Sequence, residues 1–264
     1  MHILVGPWRP DSSFIGLWNI LVLASILMQA FLSPLILVFL QTSSSDVDST
    51  VLLLHLVIDI VYLVSILVNF RTAYYHHGEL KTHSRHIMLH YLKSGLITDA
   101  VSELAIIGRV VSGGSNLKYL GLLALLRIYR IPALIASIED YFQFNRQVKT
   151  MVEVTKLIVV VFILAHWFGC ILYSITKVEQ NESNWLDTVQ GVQGDDITGY
   201  YVAALYWAIM TMSTVGYGDI APITTKERIL TIIIMIISSI IFGFLLSSIG
   251  SLLLELSRFS SESR

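Results

Sequence analysis

Long apolar runs dominate this chain and decide what it can become. Residues 14–40, 51–69, 91–111, 116–138, 151–176 and 227–258 are each close to or beyond the roughly 20 residues that an α-helix needs to cross a bilayer; a shorter run, 200–212, precedes the last. The third run is interrupted by Asp99 and Glu103, and the fourth carries Lys118, Arg127 and Arg130. Because hydrocarbon offers backbone groups no partner, spanning segments must close their own hydrogen bonds. The pattern predicts an all-α membrane protein with six transmembrane helices and one half-length insertion. Charged residues make up only 14% of the chain, against about 25% in a soluble domain. No basic block points to nucleic acid, and one cysteine, Cys170, rules out an intramolecular disulfide.

The loops set the orientation. With the N-terminus in the cytosol, the inner segments hold Arg9, Arg71, Lys81, Arg85, Lys93, Arg146, Lys149, Lys156, Arg258 and Arg264, whereas the outer ones hold Arg109, Lys177, Lys226 and Arg228. Cytosolic loops carry the excess of Lys and Arg, so both termini are expected inside, in the cell membrane. The expected organisation is a cytosolic segment 1–13, a four-helix domain 14–138, a short linker 139–150, a two-helix domain 151–258 and a cytosolic end 259–264.

The insertion ends in "TMSTVGYGDI", residues 211–220. Residues 200–212 make about three helical turns and cannot span. Non-helical backbone at membrane depth survives only where protein buries it or it lines a watery cavity. In "TVGYG" the carbonyls of Thr214, Val215, Gly216, Tyr217 and Gly218 can replace the water around a dehydrated cation if all point to one side. Gly216 and Gly218 permit the positive φ this requires. Four copies around an axis give the oxygen rings of a potassium selectivity filter. The sequence thus implies three identical partner subunits, potassium ions as the only bound species, and no cofactor. The short helix would aim its partially negative C-terminal end at the ion. Trp207 is expected to brace the Tyr217 hydroxyl, with Asp219 closing the motif. Glu179, Glu182, Asp187, Asp195, Asp196, Asp219 and Glu227 are expected to form an acidic outer vestibule, which would focus cations at the mouth. The "NES" triplet makes Asn181 a glycosylation candidate.

The whole chain resembles the six-helix core of the potassium channel superfamily, in the branch that usually carries a cyclic-nucleotide-binding domain, such as plant inward rectifiers and ether-à-go-go channels. "VNFRTAYY" (68–75), "YLKSGLITDAVSEL" (91–104), "LLRIYRIPALIASIEDYFQFN", "LAHWFGCILYSI" and "YYVAALYWAIMTMSTVGYGDIAP" carry the likeness. The proline usual near the end of the third helix is missing. The resemblance implies that the first four helices form a voltage-sensor-like domain and that the last two, with a re-entrant pore helix, form the pore. Lys118, Arg127 and Arg130 would be the sensor charges and Asp59 and Asp99 their countercharges. Ser112, Ser115, Gly121 and Ala124 hold places that a full sensor fills with Arg or Lys. Each charge moved through 100 mV is worth about 2.3 kcal/mol, so voltage dependence should be weak; a static set of ion pairs is the alternative. The short link between fourth and fifth helices suggests each sensor beside its own pore domain.

In the last helix Leu245, Ile249 and Leu252 are candidates for a constriction that closes by dewetting, with Gly243 as a bending point. His76, His77, His83, His86 and His90 read as a solvated cytosolic loop, with a metal site or pH sensor as the less favoured reading. No motif suggests catalysis. The family's nucleotide-binding domain has no room before Arg264, and a cytosolic regulatory domain beyond it stays open. Two alternatives remain: a nonselective cation channel of the same branch, and a membrane module of a receptor-type enzyme with a vestigial pore.

Overall fold

The structure, a computed structural model, describes residues 7–40, 49–76, 79–110, 116–178, 183–189, 191–192 and 196–262. By internal contacts the chain forms two units, residues 1–37 with 43–145, and residues 38–42 with 146–264. Among the described residues, four helical segments are long and apolar enough to cross a membrane: Ser13–Phe39, Tyr119–Phe142, Arg146–Thr176 and Thr225–Leu252.

In the first unit α1 runs Ser13–Leu35, capped by the Ser12 side chain, which accepts from the Ile15 N–H at 3.4 Å. Pro34, near its end, has no N–H to give and its ring crowds the preceding turn. From Ile36 to Leu40 the chain widens into a π-helical turn, so the first expected span is not uniformly α-helical. Next, α2 covers Ser49–Asn69. Within 74–90, expected as a solvated cytosolic loop, the described residues form two short strands and the start of a helix; His77 lies outside the described residues. Tyr74–His76 (β1) and Glu79–Lys81 (β2) pair antiparallel. The Trp8 N–H and C=O bond Arg71 O and Ala73 N, each at 2.9 Å, tying the N-terminal segment to the same place. Lys81, hydrogen-bonded to Glu79 at 2.6 Å, holds that carboxyl below its ordinary range.

The third expected span is divided. Helix α3 (Ser84–Ser94) ends at Gly95, and α4 occupies Leu96–Val110. Glycine supplies the break because it is poor in a helix interior and free at its end. His86, His90 and Lys93, all exposed, lie on α3, which is too polar for hydrocarbon. The fourth expected span is a 3₁₀ helix over Asn116–Arg130, followed by α5, Ile131–Phe142, with Pro132 in its first turn. Proline is tolerated there because the first turn's N–H groups have no intrahelical partner. The core gathers Val22, Ile26, Ile58 and Tyr62, with Trp18, Leu32, Ile128, Ile131 and Leu134 against them.

In the second unit α6 (Arg146–Val178) and α8 (Thr225–Glu262) flank α7 (Ile197–Met212), which packs on both. A single 3₁₀ turn, Trp185–Thr188, lies between α6 and α7. At 38 residues, α8 is about 57 Å long, well beyond the roughly 30 Å hydrocarbon core.

The helices are amphipathic in the inverted sense. On α2, His55, Asp59 and Ser65 are buried while Leu56, Val57, Ile60 and Leu67 are exposed. On α8, Glu227, Thr231 and Ser238 are buried while Ile229, Ile232, Ile236 and Ile240 are exposed. In water this arrangement would be unstable; in lipid it is the expected one. The protein is a multi-pass membrane protein.

Gly16 of α1 lies under the Tyr141 ring of α5, where an added Cβ would fall 2.7 Å from ring carbons, and Asn19 donates to Ser137 at 2.8 Å nearby. Gly16→Val should therefore lower stability by about 1–3 kcal/mol through overpacking, read as a fall in the thermal midpoint of the lipid-reconstituted protein.

Candidate functional site

Helix α7 delivers the glycine-rich stretch. Its N-terminus is capped by Asp196, whose Oδ1 accepts from the Gly199 N–H at 3.0 Å, and it ends at Met212. The chain then folds back: the N–H groups of Val215 and Gly216 both reach Met210 O, at 3.0 and 3.2 Å, and Thr214 N–H reaches Thr211 O at 3.1 Å. Beyond that point φ alternates in sign. It is positive at Thr214 (61°), Gly216 (59°) and Gly218 (79°) and negative at Val215 and Tyr217. A strand, with φ negative throughout, would send successive carbonyls to opposite sides. Alternating left- and right-handed residues send them to the same side, the arrangement that solvates a bare cation.

Gly216 and Gly218 are required by their φ and not by crowding, since an added Cβ would meet nothing within 4 Å. Thr214 was not expected in this role. A β-branched residue at positive φ is an outlier, and such strain costs about 1–3 kcal/mol where surrounding structure enforces it.

All five residues are exposed, Val215 at 53% and Tyr217 at 74%. Trp207, in contrast, is 2% exposed. Among the described residues no hydrogen bond joins Trp207 to Tyr217; the tyrosine that bonds at this level is Tyr206, whose hydroxyl donates to Asp219 Oδ2 at 2.8 Å. Asp219 itself is exposed, beside a cavity of about 730 Å³ whose lining includes Asp196, Val202, Tyr206 and Ile220.

Of the expected vestibule acids, Glu227 is not in a vestibule: its exposure is 0%. It closes a capping box with Thr224, Oε2 accepting from Thr224 N at 3.1 Å and Glu227 N donating to Thr224 Oγ1 at 3.2 Å. Asp187 likewise closes a box with Asn184. Asn181 lies outside the described residues, as do Glu179, Glu182 and Asp195.

The second constellation belongs to the first unit. In a 3₁₀ helix, with three residues per turn, positions three apart stack in one row. Lys118, Gly121, Ala124, Arg127 and Arg130 occupy that row. Ala124 and Arg127 are 2% and 3% exposed; the Lys118 side chain lies outside the described residues. Arg127 forms an ion pair with Glu103 of α4, and its guanidinium sits 3.5 Å above the Tyr62 ring. Arg130 reaches Asp99 Oδ2 at 2.5 Å, and the Tyr91 hydroxyl donates to the same carboxylate. Asp59, 4% exposed on α2, is among the charges Arg127 feels.

The sequence picked out Asp59 and Asp99 but treated Glu103 only as an interruption, and it missed Tyr62 and Tyr91. A spacing of four between Asp99 and Glu103 on one face of α4, against three between the arginines, was the available signal.

The gate candidates lie on an unbroken α8, where Gly243 and Ile249 are exposed and Leu245 and Leu252 half-buried.

Removing one partner of a buried pair costs about 3–5 kcal/mol, whereas replacing both with apolar groups is often neutral. Asp99→Asn should lower stability by about 3 kcal/mol, the low end because the Arg130 side chain is 18% exposed. The double change Asp99→Leu with Arg130→Leu should recover most of the loss. Thermal unfolding of the three proteins in the same lipid reads both.

A sequence model of the family described as ion transport protein matches residues 15–252. Among curated proteins, the voltage-gated inwardly rectifying potassium channel KCNH2 of Cavia porcellus is 26% identical over 269 residues, covering 93% of this chain and 20% of that protein. The similarly named KCNH6 of Homo sapiens is 26% identical over 272 residues, with 93% and 28% covered. KCNH7 of Mus musculus is also 26% identical, with 93% and 22% covered. The chain thus spans 20–28% of the length of these relatives.

Proposed function

Because the chain belongs to the ion transport protein family, and so is part of a channel and not of an enzyme, we propose that it is a subunit of a potassium-selective channel. Its filter is Thr214, Val215, Gly216, Tyr217 and Gly218, four identical chains supplying the rings of carbonyl oxygens, with potassium as the ion held. The observation that carries this reading is the alternation of φ through 214–218 at the C-terminal end of a half-length helix. The names of the relatives, potassium channels all, agree with it.

The exposure of Val215 and Tyr217 fits a filter that one chain leaves three-quarters unbuilt. The termini are cytosolic, in the cell membrane, by the distribution of Lys and Arg.

The row on the 3₁₀ helix is a sensor with few charges. Lys118, Arg127 and Arg130 carry it, and Asp59, Asp99 and now Glu103 oppose it. At most about 12 charges per four subunits can move, each worth about 2.3 kcal/mol per 100 mV, so voltage dependence is weak. Leu245, Ile249 and Leu252 form the constriction on α8, with Gly243 as its bending point.

Reconstituted in vesicles or a planar bilayer, the protein should show a reversal potential that moves by about 59 mV for each tenfold change in the potassium gradient and ignores sodium. Gly216→Ala, which forces a side chain into φ 59°, should abolish this current while leaving the tetramer intact by size-exclusion chromatography. A reversal potential near zero in the unaltered protein would mean a nonselective pore.

A further inference from the structure

Glu227 is completely buried, and among the described residues every hydrogen bond its carboxylate accepts comes from a neutral donor. Oε2 accepts from the N–H groups of Ile223 at 2.8 Å and Thr224 at 3.1 Å. Oε1 accepts from the Thr176 hydroxyl at 3.0 Å, on the outer end of α6. Thr176 in turn accepts from the indole N–H of Trp185 at 2.7 Å. Trp185 and Thr176 are 0% and 2% exposed. An indole nitrogen is a donor only, so the hydroxyl must accept from Trp185. Its single hydrogen is then available to Glu227, with Leu172 O at 3.1 Å as the competing acceptor. The line of bonds therefore has one direction, from Trp185 through Thr176 to Glu227. It ties the 3₁₀ turn before α7, the end of α6 and the first turn of α8 to backbone only five and six residues past Gly218.

What this line holds matters because the outer half of the filter holds so little itself. Thr214, Val215 and Gly216 are bonded back to α7, but among the described residues Tyr217 and Gly218 have no hydrogen bond within their own chain. The exit segment 219–224 is fixed at both ends. Asp219 is held by Tyr206, Ile223 and Thr224 by Glu227, and Arg228 Nε lies 3.5 Å from Pro222 O.

We infer that Glu227, linked through Thr176 to Trp185, is a positioning residue for the filter: it fixes the exit segment and thereby keeps the outer carbonyl rings in conducting geometry. The inference rests on the potassium-filter reading and names the part of the subunit that keeps that filter open over time.

The experiment is current decay during sustained opening, recorded from the full chain in planar bilayers at low and high external potassium. Four proteins are compared: unaltered, Glu227→Gln, Glu227→Ala and Thr176→Val. Gln keeps an oxygen for the two N–H groups and can donate to Thr176, so it should decay like the unaltered protein. Glu227→Ala, which removes all three hydrogen bonds the carboxylate accepts, should decay at least about tenfold faster, the factor that even one lost buried hydrogen bond is worth, and Thr176→Val, which removes one of them, should fall between. High external potassium, by occupying the outer rings, should slow both toward the unaltered rate. A merely structural role would reduce the amount of tetramer without making the decay depend on potassium.

Unaltered decay in Glu227→Ala and Thr176→Val at both potassium levels overturns the inference. If Glu227→Ala does not assemble, Thr176→Val, nearly isosteric, decides it alone. A reversal potential near zero in the unaltered protein sinks the filter reading and this inference with it. Selective unaltered current with unaffected variants sinks the inference alone.

Discussion

Hydrocarbon gives a polar group nothing to bond to, and this one constraint organises both units. Every charge that enters a spanning helix must find its partner inside the protein. Arg127 finds Glu103 and the face of Tyr62; Arg130 finds Asp99, which also takes the Tyr91 hydroxyl. The backbone adapts to that demand. On an α-helix, at about 100° per residue, Lys118 and Arg130 would point about 120° apart, and a residue three places on would already have drifted toward lipid. A 3₁₀ helix stacks them in one row, at the expense of poorer hydrogen-bond geometry. Fifteen residues of 3₁₀ structure, far longer than its usual run of three or four, are what burying a three-residue period against α4 requires.

This explains which parts of the fold were legible in the sequence. Apolar length located α1, α2, α6, α7 and α8, because length is what the bilayer selects. It does not foresee the break within 91–111, where Gly95 divides a polar helix from a 15-residue apolar one. The helix type at 116–130 was latent in the phase shared by Lys118, Arg127 and Arg130. A shared phase declares charge directly, whereas the helix type it implies needs the packing against α4. Glu103 was invisible as a partner because its arginine lies 24 residues away, beyond any periodicity within one helix.

In the glycine-rich stretch after α7 the two kinds of information separate cleanly. Gly216 and Gly218 announce positive φ, and the backbone has it. Thr214 announces the opposite, since threonine is stiff and β-favouring, yet its φ is 61°. Only its neighbours explain this: Val215 and Gly216 both donate to Met210 O, so the chain must reverse within the residues after α7. Glu227 shows the converse error. The spacing Thr224-x-x-Glu227 is a capping box in plain sequence, but an acid near an outer mouth invites a reading by charge alone. Burial decides in favour of the cap.

The two sites hold strain differently, and the difference follows from what each can reach. The two arginines of the row are held within their own unit, Arg127 by Glu103 and the Tyr62 face, and Arg130 by Asp99, which also takes the Tyr91 hydroxyl. The glycine-rich stretch is held more loosely: its inner end is bonded back to α7, the segment after it is held through Asp219 and Glu227, and among the described residues Tyr217 and Gly218 make no hydrogen bond within their own chain. The positive φ at a β-branched residue stores strain of about 1–3 kcal/mol, which the bonds from Val215 and Gly216 to Met210 O hold in place. In the proposed assembly, ions and identical chains around an axis would add the contacts that Tyr217 and Gly218 lack. The carbonyls of 214–218 would then become its coordination shell. In this reading the incompleteness of one chain is the physical reason that conduction and assembly arise together.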